Sequence, residues 1–301
     1  MSAFTRNRTD GYKPLFFLFC LFALGWITLL LYAGGMTTSI KAGMAFLDWP
    51  LSNGSVNPAG WLTESDKMAE HSHRLLGMKI GLLSIGLFLW THLRESRDWV
   101  RTLARVLLWV VILQGLLGGA RVRFDQLNIM SDHNLVAQGF AVVHACGAMV
   151  VLGILVTLTL ASTRRWIEAS AGLNVQQPVG VKRWGIIATV AIFLQILVGA
   201  IMRHADAGLA LVKFPMSTAT TWLPTYWNFD VSVHFAHRIG AILVTVILLV
   251  FLCKLWGSPT AKRALGYGAL FLAVILGLQI SLGALTIWTV KNPYAATAHH
   301  L

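Results

Sequence analysis

The sequence predicts an all-α polytopic membrane protein built as two tandem four-helix bundles related by internal duplication. Three observations predict it. Of the 301 residues, 56% are hydrophobic and only 12% charged, far less charge than a water-exposed surface carries. Apolar runs of about 20 residues, the length that crosses a bilayer, recur along the chain. A long segment also repeats. Residues 34–50 read GGMTTSIKAGMAFLDWP and residues 199–215 read GAIMRHADAGLALVKFP. They align without a gap at an offset of 165, pairing Gly34 with Gly199, Gly43 with Gly208, Trp49 with Phe214 and Pro50 with Pro215. Beyond it, Glu70-His71-Ser72-His73-Arg74 is echoed by His234-Phe235-Ala236-His237-Arg238, with His73 falling on His237 at an offset of 164.

The apolar runs predict helices over 15–34, 75–92, 103–120, 135–160, 184–202, 238–256 and 264–289. An eighth run opens near Ala295 and stops at Leu301, so the last helix is expected to be truncated. The first run follows basic residues, as a signal peptide does. It is too long for such a peptide, and Gly34-Gly35 opens the repeat rather than a cleavage site, so it is read as a retained helix. The second and sixth helices each begin at a His-Arg pair, after loops of roughly 35 to 40 residues. The third, fifth and seventh carry Leu113-Gln114 with Gly118, Leu194-Gln195 with Gly199 and Leu278-Gln279 with Gly283. Such glycines let membrane helices approach closely, and packing is the favoured reading of all three. The fourth helix carries His144 about nine residues in. The duplication divides the chain into residues 1–165 and 166–301. Cys20, Cys146 and Cys253 lie far apart in apolar runs and are expected to be buried thiols without a disulfide framework.

The net charge of +12 is arranged by topology. One side of the predicted membrane collects Arg6, Arg8, Lys13, Arg94, Arg97, Arg101, Arg105, Arg164, Arg165, Lys182, Arg183, Lys254, Lys262 and Arg263, against four acidic residues including Asp10. The other side has nine basic and eight acidic residues, Asp132 among them. Positive charge stays inside, which places the N-terminus in the cytoplasm and makes nucleic acid a poor candidate partner. His73, His144, His237 and His299 then lie at similar depth near the outer face, two per repeat. Each repeat holds an even number of helices, so the halves share one orientation.

A lone histidine in a membrane helix is usually a packed residue. Four at matched positions of a duplicated unit are costly to keep by accident. Neutral imidazoles are good axial ligands for haem iron, and two on facing helices of a bundle can clamp a macrocycle. His73 with His144, and His237 with His299, are the candidate pairs. His300 competes with His299, although aligning Val143-His144-Ala145 with Ala298-His299-His300 favours His299. Arg74 and Arg238 follow their histidines and either snorkel to the interface or hold haem propionates. Glu70 lies three residues before His73, where the second copy has His234. A carboxylate near one pocket suggests that this half does proton or oxidation chemistry while the other passes electrons; the plain alternative is a cap at a helix start. His71, His92, His133 and His204 receive no role. No Gly-rich phosphate loop, Cys-x-x-Cys pair or carboxylate cluster appears, which leaves nucleotide, zinc and di-iron chemistry without support.

The AGG-x-T…AG…DWP segment, Glu-x-x-His-Arg at the second helix, R-H-x-x-AGLA…FP after the fifth and His-Phe-Ala-His-Arg at the sixth together resemble the haem A synthase family across essentially the whole chain. The resemblance implies eight helices in two bundles of the bacterial cytoplasmic membrane, with extracytoplasmic haem sites. It implies haem O as substrate at His73 and His144, and haem B as cofactor at His237 and His299. The carboxylate matching Glu70 is implied in catalysis. The implied reaction oxidises the C8 methyl of haem O to a formyl group through hydroxylated intermediates, giving haem A for terminal oxidases, with haem O synthase as the expected associate. Unlike some members, this chain has no cysteine in residues 35–69, so electrons have no disulfide route there. A di-haem b-type electron carrier without substrate oxidation is the alternative, and it leaves Glu70 unexplained. A transporter on parallel repeats would show recurrent polar residues at mid-membrane, and only Lys79 and Gln195 come near. Whether copies of the chain form a homo-oligomer is left open.

Overall fold

The computed structural model describes residues 11–127, 134–172 and 178–301. Arg6, Arg8, Asp10, Asp132 and His133 lie outside the described residues. Helix α1 spans Pro14–Ser39, α2 Ser65–Arg94, α3 Asp98–Leu127, α4 Leu135–Ala161, α5 Arg164–Gly172, α6 Val179–His204, α7 Phe229–Trp256, α8 Pro259–Trp288 and α9 Pro293–His300. No strand occurs among the described residues. Seven of the helices are long and apolar enough to cross a membrane. With Leu15, Phe271 and many other large apolar side chains facing outward, the chain is an all-α integral membrane protein.

Local chemistry sets the helix ends. Proline opens α1, α8 and α9, where a missing N–H costs nothing. Asn134, Asn228 and Ser258 each accept from a backbone N–H of the first turn of α4, α7 and α8. Two helices start earlier than expected: α2 at Ser65, not 75, and α7 at Phe229, not 238. Hydropathy marks only the apolar part of a helix, and the polar first turns of both continue beyond it. The loops between helices are correspondingly shorter, 40–64 and 205–228. His73 and His237 therefore sit in the third turn of their helices rather than at the start. The short α5 was not expected, because its nine residues include too few apolar positions. Of the thiols, Cys20 and Cys146 are buried but Cys253 is exposed on α7.

The chain divides into two compact units, Met1–Asn174 and Val175–His300. In the first, α1 and α3 each pack against both α2 and α4. Its apolar core is confined to one end. Phe16, Cys20, Ala23, Ile27 and Leu31 form a stripe on α1, and they meet Ile80 and Leu87, Val100 and Leu107, and Ile154, Leu155 and Leu158. These positions lie early in α1 and α3 and late in α2 and α4. The other end, late in α1 and early in α4, buries only small residues such as Ala33, Thr37, Ala137 and Ala141 beside the histidines. Lys79 of α2 stands over the Trp26 ring at 4.1 Å.

The second unit repeats the plan. Its core of Val181, Leu252, Leu255, Ala261 and Ala269 lies early in α6 and α8 and late in α7. Helix α7 packs against α6 and α8, α8 packs against α9, and Arg203 of α6 donates to the Ala296 carbonyl of α9.

Candidate functional site

Helix geometry turns the sequence spacing into facing rings. His73 of α2 and His144 of α4 stand with centroids 6.4 Å apart and ring planes at 86°. His237 of α7 and His299 of α9 stand 6.2 Å apart at 87°. Glycines lie against all four rings, and at three of them a Cβ would crowd the imidazole. A Cβ on Gly34 would lie 2.7 Å from Cε1 of His73, and one on Gly199 3.0 Å from Cε1 of His237. On Gly118 it would lie 3.5 Å from His144, and on Gly283 3.0 Å from His299. Gly118, Gly199 and Gly283, read from sequence as helix-packing positions, lie against imidazole rings, as does Gly34. Next to one of them, Gly119 seats the Trp49 ring, which a Cβ there would meet at 2.6 Å.

Each unit holds a loop over its pair by one arginine. Arg74 donates to the carbonyls of Asp48 (2.6 Å), Leu51 (2.5 Å) and Phe46 (3.1 Å). Arg238 donates to those of Lys213 (2.7 Å), Met216 (3.1 Å) and Leu211 (2.8 Å). These acceptors correspond one for one at the repeat offset. Both loops carry a cis bond before proline, Trp49–Pro50 and Phe214–Pro215. The residues four before the arginines also correspond in role. Glu70 accepts from the Phe46 N–H at 3.1 Å and pairs with Arg74. His234 Nδ1 lies 3.3 Å from the Leu211 N–H, which it can accept, and 3.2 Å from the Ala207 carbonyl, to which the other tautomer would donate. Both side chains are buried. The residue that differs most between the copies thus occupies one shared seat beneath the loop.

Spacing alone did not single out several other residues. His71 is buried, with Nδ1 3.0 Å from Ser52 Oγ and its ring edge-on to Trp61 at 4.8 Å, so it anchors the first loop. The guanidinium of Arg121 lies against Gly43, where a Cβ would come within 3.3 Å, and its charge reaches both His73 and His144. That of Arg203 reaches His299 and His300. Such long-range neighbours leave no local signal in a chain.

A profile of the cytochrome oxidase assembly protein family, COX15-CtaA, matches residues 17–301. The chain belongs to this family. Among its relatives, the heme A synthase of Symbiobacterium thermophilum is 28% identical over 263 residues, covering 85% of this chain and 79% of the relative. That of Geobacillus kaustophilus is 28% identical over 275 residues, covering 89% and 81%. That of Listeria monocytogenes is 25% identical over 280 residues, covering 91% and 86%.

Haem suits the donor sets of this COX15-CtaA protein. Metal–imidazole bonds are about 2 Å long, so two imidazoles sharing one metal place their centroids about 6 Å apart, as both pairs do. Among the described residues no three His, Cys, Asp or Glu side chains gather to hold a bare metal ion. A macrocycle brings its own equatorial nitrogens and asks the protein only for axial ligands.

Asp48 organises the tip of the first loop. It accepts from the N–H groups of Asn53 and Gly54, both at 2.7 Å. Burial acts to raise its carboxyl; the two N–H groups and the Arg74 charge outweigh that and hold it below the ordinary carboxylate value. A depressed folded pKa means that the stabilisation is present above the unfolded value near about 3.9 and is lost as pH falls through the folded one. Amide protection at Asn53 and Gly54, corrected for intrinsic exchange, is expected to persist to about pH 4 and collapse below it. In Asp48→Asn it should be weak at every pH.

Proposed function

We propose that this protein oxidises the C8 methyl group of haem O to a formyl group, giving haem A for terminal oxidases. The two matched histidine pairs carry the reading, in a family whose relatives include heme A synthases. His73 and His144 bind haem O as substrate in the N-terminal half, residues 1–165. His237 and His299 hold a resident haem B in residues 166–301. When bound, that cofactor supplies the one-electron chemistry that side chains lack. Converting a methyl to a formyl group removes four electrons and adds one oxygen atom, so an enzyme of this kind must also move protons.

The chain's own groups divide that work. The paired imidazoles fix the substrate's plane. Arg74 and Arg238 keep the loops closed over the sites and bring positive charge to their rims, with Arg121 near the first pair. Glu70, a buried carboxylate three residues from His73, takes up protons on Oε1 or Oε2 at the substrate side, held in place by Arg74 and the Phe46 N–H. The distribution of basic residues supports a cytoplasmic N-terminus and sites towards the outer face. Haem O reaches the first unit from the bilayer or from an associated haem O synthase.

The test is chromatography of haems extracted from protein made in cells that supply haem O. Haem A or its hydroxylated precursor beside haem B is the expected result. Haem B alone would replace the reading with a di-haem carrier. Glu70→Gln keeps an acceptor for the Phe46 N–H and removes the charge. It should retain haem and lose product formation by about a hundred-fold or more, the range of general acid–base catalysis. A normal rate in Glu70→Gln would remove the proton-handling role.

A further inference from the structure

One ring among the four is held differently. Nε2 of Gln195 on α6 lies 3.0 Å from Nδ1 of His237 and donates to the His237 carbonyl at 2.8 Å. A notch receives this amide: a Cβ on Gly240, one turn beyond His237, would strike Oε1 of Gln195. The first unit has Leu30 and Leu76 at the corresponding places. There Nδ1 of His73 faces only the backbone carbonyl of Leu30, at 3.3 Å. The corresponding positions hold two leucines in one unit and an amide and a glycine in the other. The rings of His144 and His299 have the Gln114 and Gln279 backbones beside them, outside hydrogen-bond geometry. Gln114 even has its own notch, against Gly147, but its Oε1 is buried without a partner. Among the four paired histidines, only His237 has a side-chain partner on its ring nitrogen.

We propose that Gln195 is a positioning residue for His237, setting which ring nitrogen carries the proton and how strongly the other binds iron. The proposal rests on His237 being an axial ligand. A ligating imidazole gives its Nε2 lone pair to the metal, so its proton sits on Nδ1 and needs an acceptor. An amide tip carries an acceptor and a donor. With Nε2 towards the ring, the orientation in which the amide also donates to the His237 carbonyl, Nδ1 is held as an acceptor; turned over, with Oε1 towards the ring, Gln195 gives up that bond and accepts from Nδ1–H. Accepting from Nδ1–H makes the imidazole more electron-rich, which strengthens its bond to ferric iron and lowers the reduction potential. Leu30 leaves His73 without this adjustment. The unit proposed to keep its haem has a tuned ligand, and the unit proposed to exchange its haem does not.

The experiment compares full-length wild type with Gln195→Leu, Gln195→Glu, the double variant Gln195→Leu/Gly240→Leu, and His237→Ala. The double variant restores the first unit's leucine pair and fills the notch if the single change fails to fold. Haem per protein, the rate of haem loss to an excess of a scavenger, and the midpoint potential are measured for each. Gln195→Leu and the double variant should lose the second haem about ten- to a hundred-fold more readily, the usual effect of removing a partner behind a metal ligand. Their midpoint potential should rise. Gln195→Glu, which keeps an acceptor, should retain haem and shift the potential downward. Unchanged retention and potential in the folded leucine variants would overturn the proposal and leave Gln195 a packing residue. If His237→Ala keeps its full haem complement and spectrum, the ligand reading itself fails, and that outcome is separate from the first.

Discussion

Replacing Gly34 with leucine will empty the first histidine pair while leaving the bundle folded. A Cβ at this position lies 2.7 Å from Cε1 and 3.0 Å from Nδ1 of His73, closer than nonbonded carbon and nitrogen approach. The ring must turn away, and the remaining leucine carbons occupy the space it leaves. His73 would then no longer stand opposite His144 at 6.4 Å. The core that holds the unit together lies at the opposite end of the helices, around Ile27, Leu87, Leu107 and Leu155, so helix content should persist. The expected result is loss of about half of the bound haem, all from the first unit, with unchanged circular dichroism. Gly199→Leu should remove the other half, because its Cβ would meet His237 at 3.0 Å. Gly25→Leu, on the same helix as Gly34 with nothing within 4 Å of its Cβ position, is the control and should keep both. A Gly34→Leu protein with full haem and a native spectrum would mean that the ring does not bind where it stands.

Arg74→Met should destabilise the first unit by about 3–5 kcal/mol, the usual cost of removing one partner of a buried ion pair. Arg74 and Glu70 have side chains only 12% and 5% exposed, so a carboxylate left without its guanidinium has little water to turn to. Three loop carbonyls lose their donors in the same step. The loop 40–64 should become the preferred cleavage site in limited proteolysis, and thermal unfolding should move down. Adding Glu70→Gln should recover part of the loss, because no unpaired charge then remains. Arg74→Lys should not rescue, since a single ammonium cannot reproduce the fork that spans three carbonyls and a carboxylate. Arg238→Met should cost less than Arg74→Met, because the residue in the seat of Glu70 is the histidine His234, which leaves no orphaned carboxylate. Equal losses in the two units would show that the ion pair adds nothing to the carbonyl bonds.

These two arginines show where a reading of the chain reaches and where it stops. The His-Arg pairs stood out because they recur at one offset and end a polar stretch. That each arginine gathers three carbonyls of a loop more than twenty residues away could not be read from them, because backbone acceptors look alike in a sequence. Glu70 against His234 was legible as a difference. Only the folded loops reveal that both side chains lie beside the same backbone N–H, so a change of residue conceals a shared position. The helix starts at Ser65 and Phe229 were missed for a simpler reason: hydropathy responds to the lipid-facing part of a helix and is silent on its polar turns.

By itself, then, the sequence determined that this is an all-α membrane chain, where most of its spans run, and that two histidines recur per repeat. Those properties follow from local composition and spacing, since a bilayer selects apolar runs of a set length whatever their partners. Tertiary structure alone decided that Gly34, Gly199 and Gly283 are ring seats, that Gln195 touches His237 while the Leu30 carbonyl faces His73, and that the arginines close loops. Each of these depends on which faces of distant helices meet, and that choice is made by packing across the whole unit, where a single absent Cβ admits a ring.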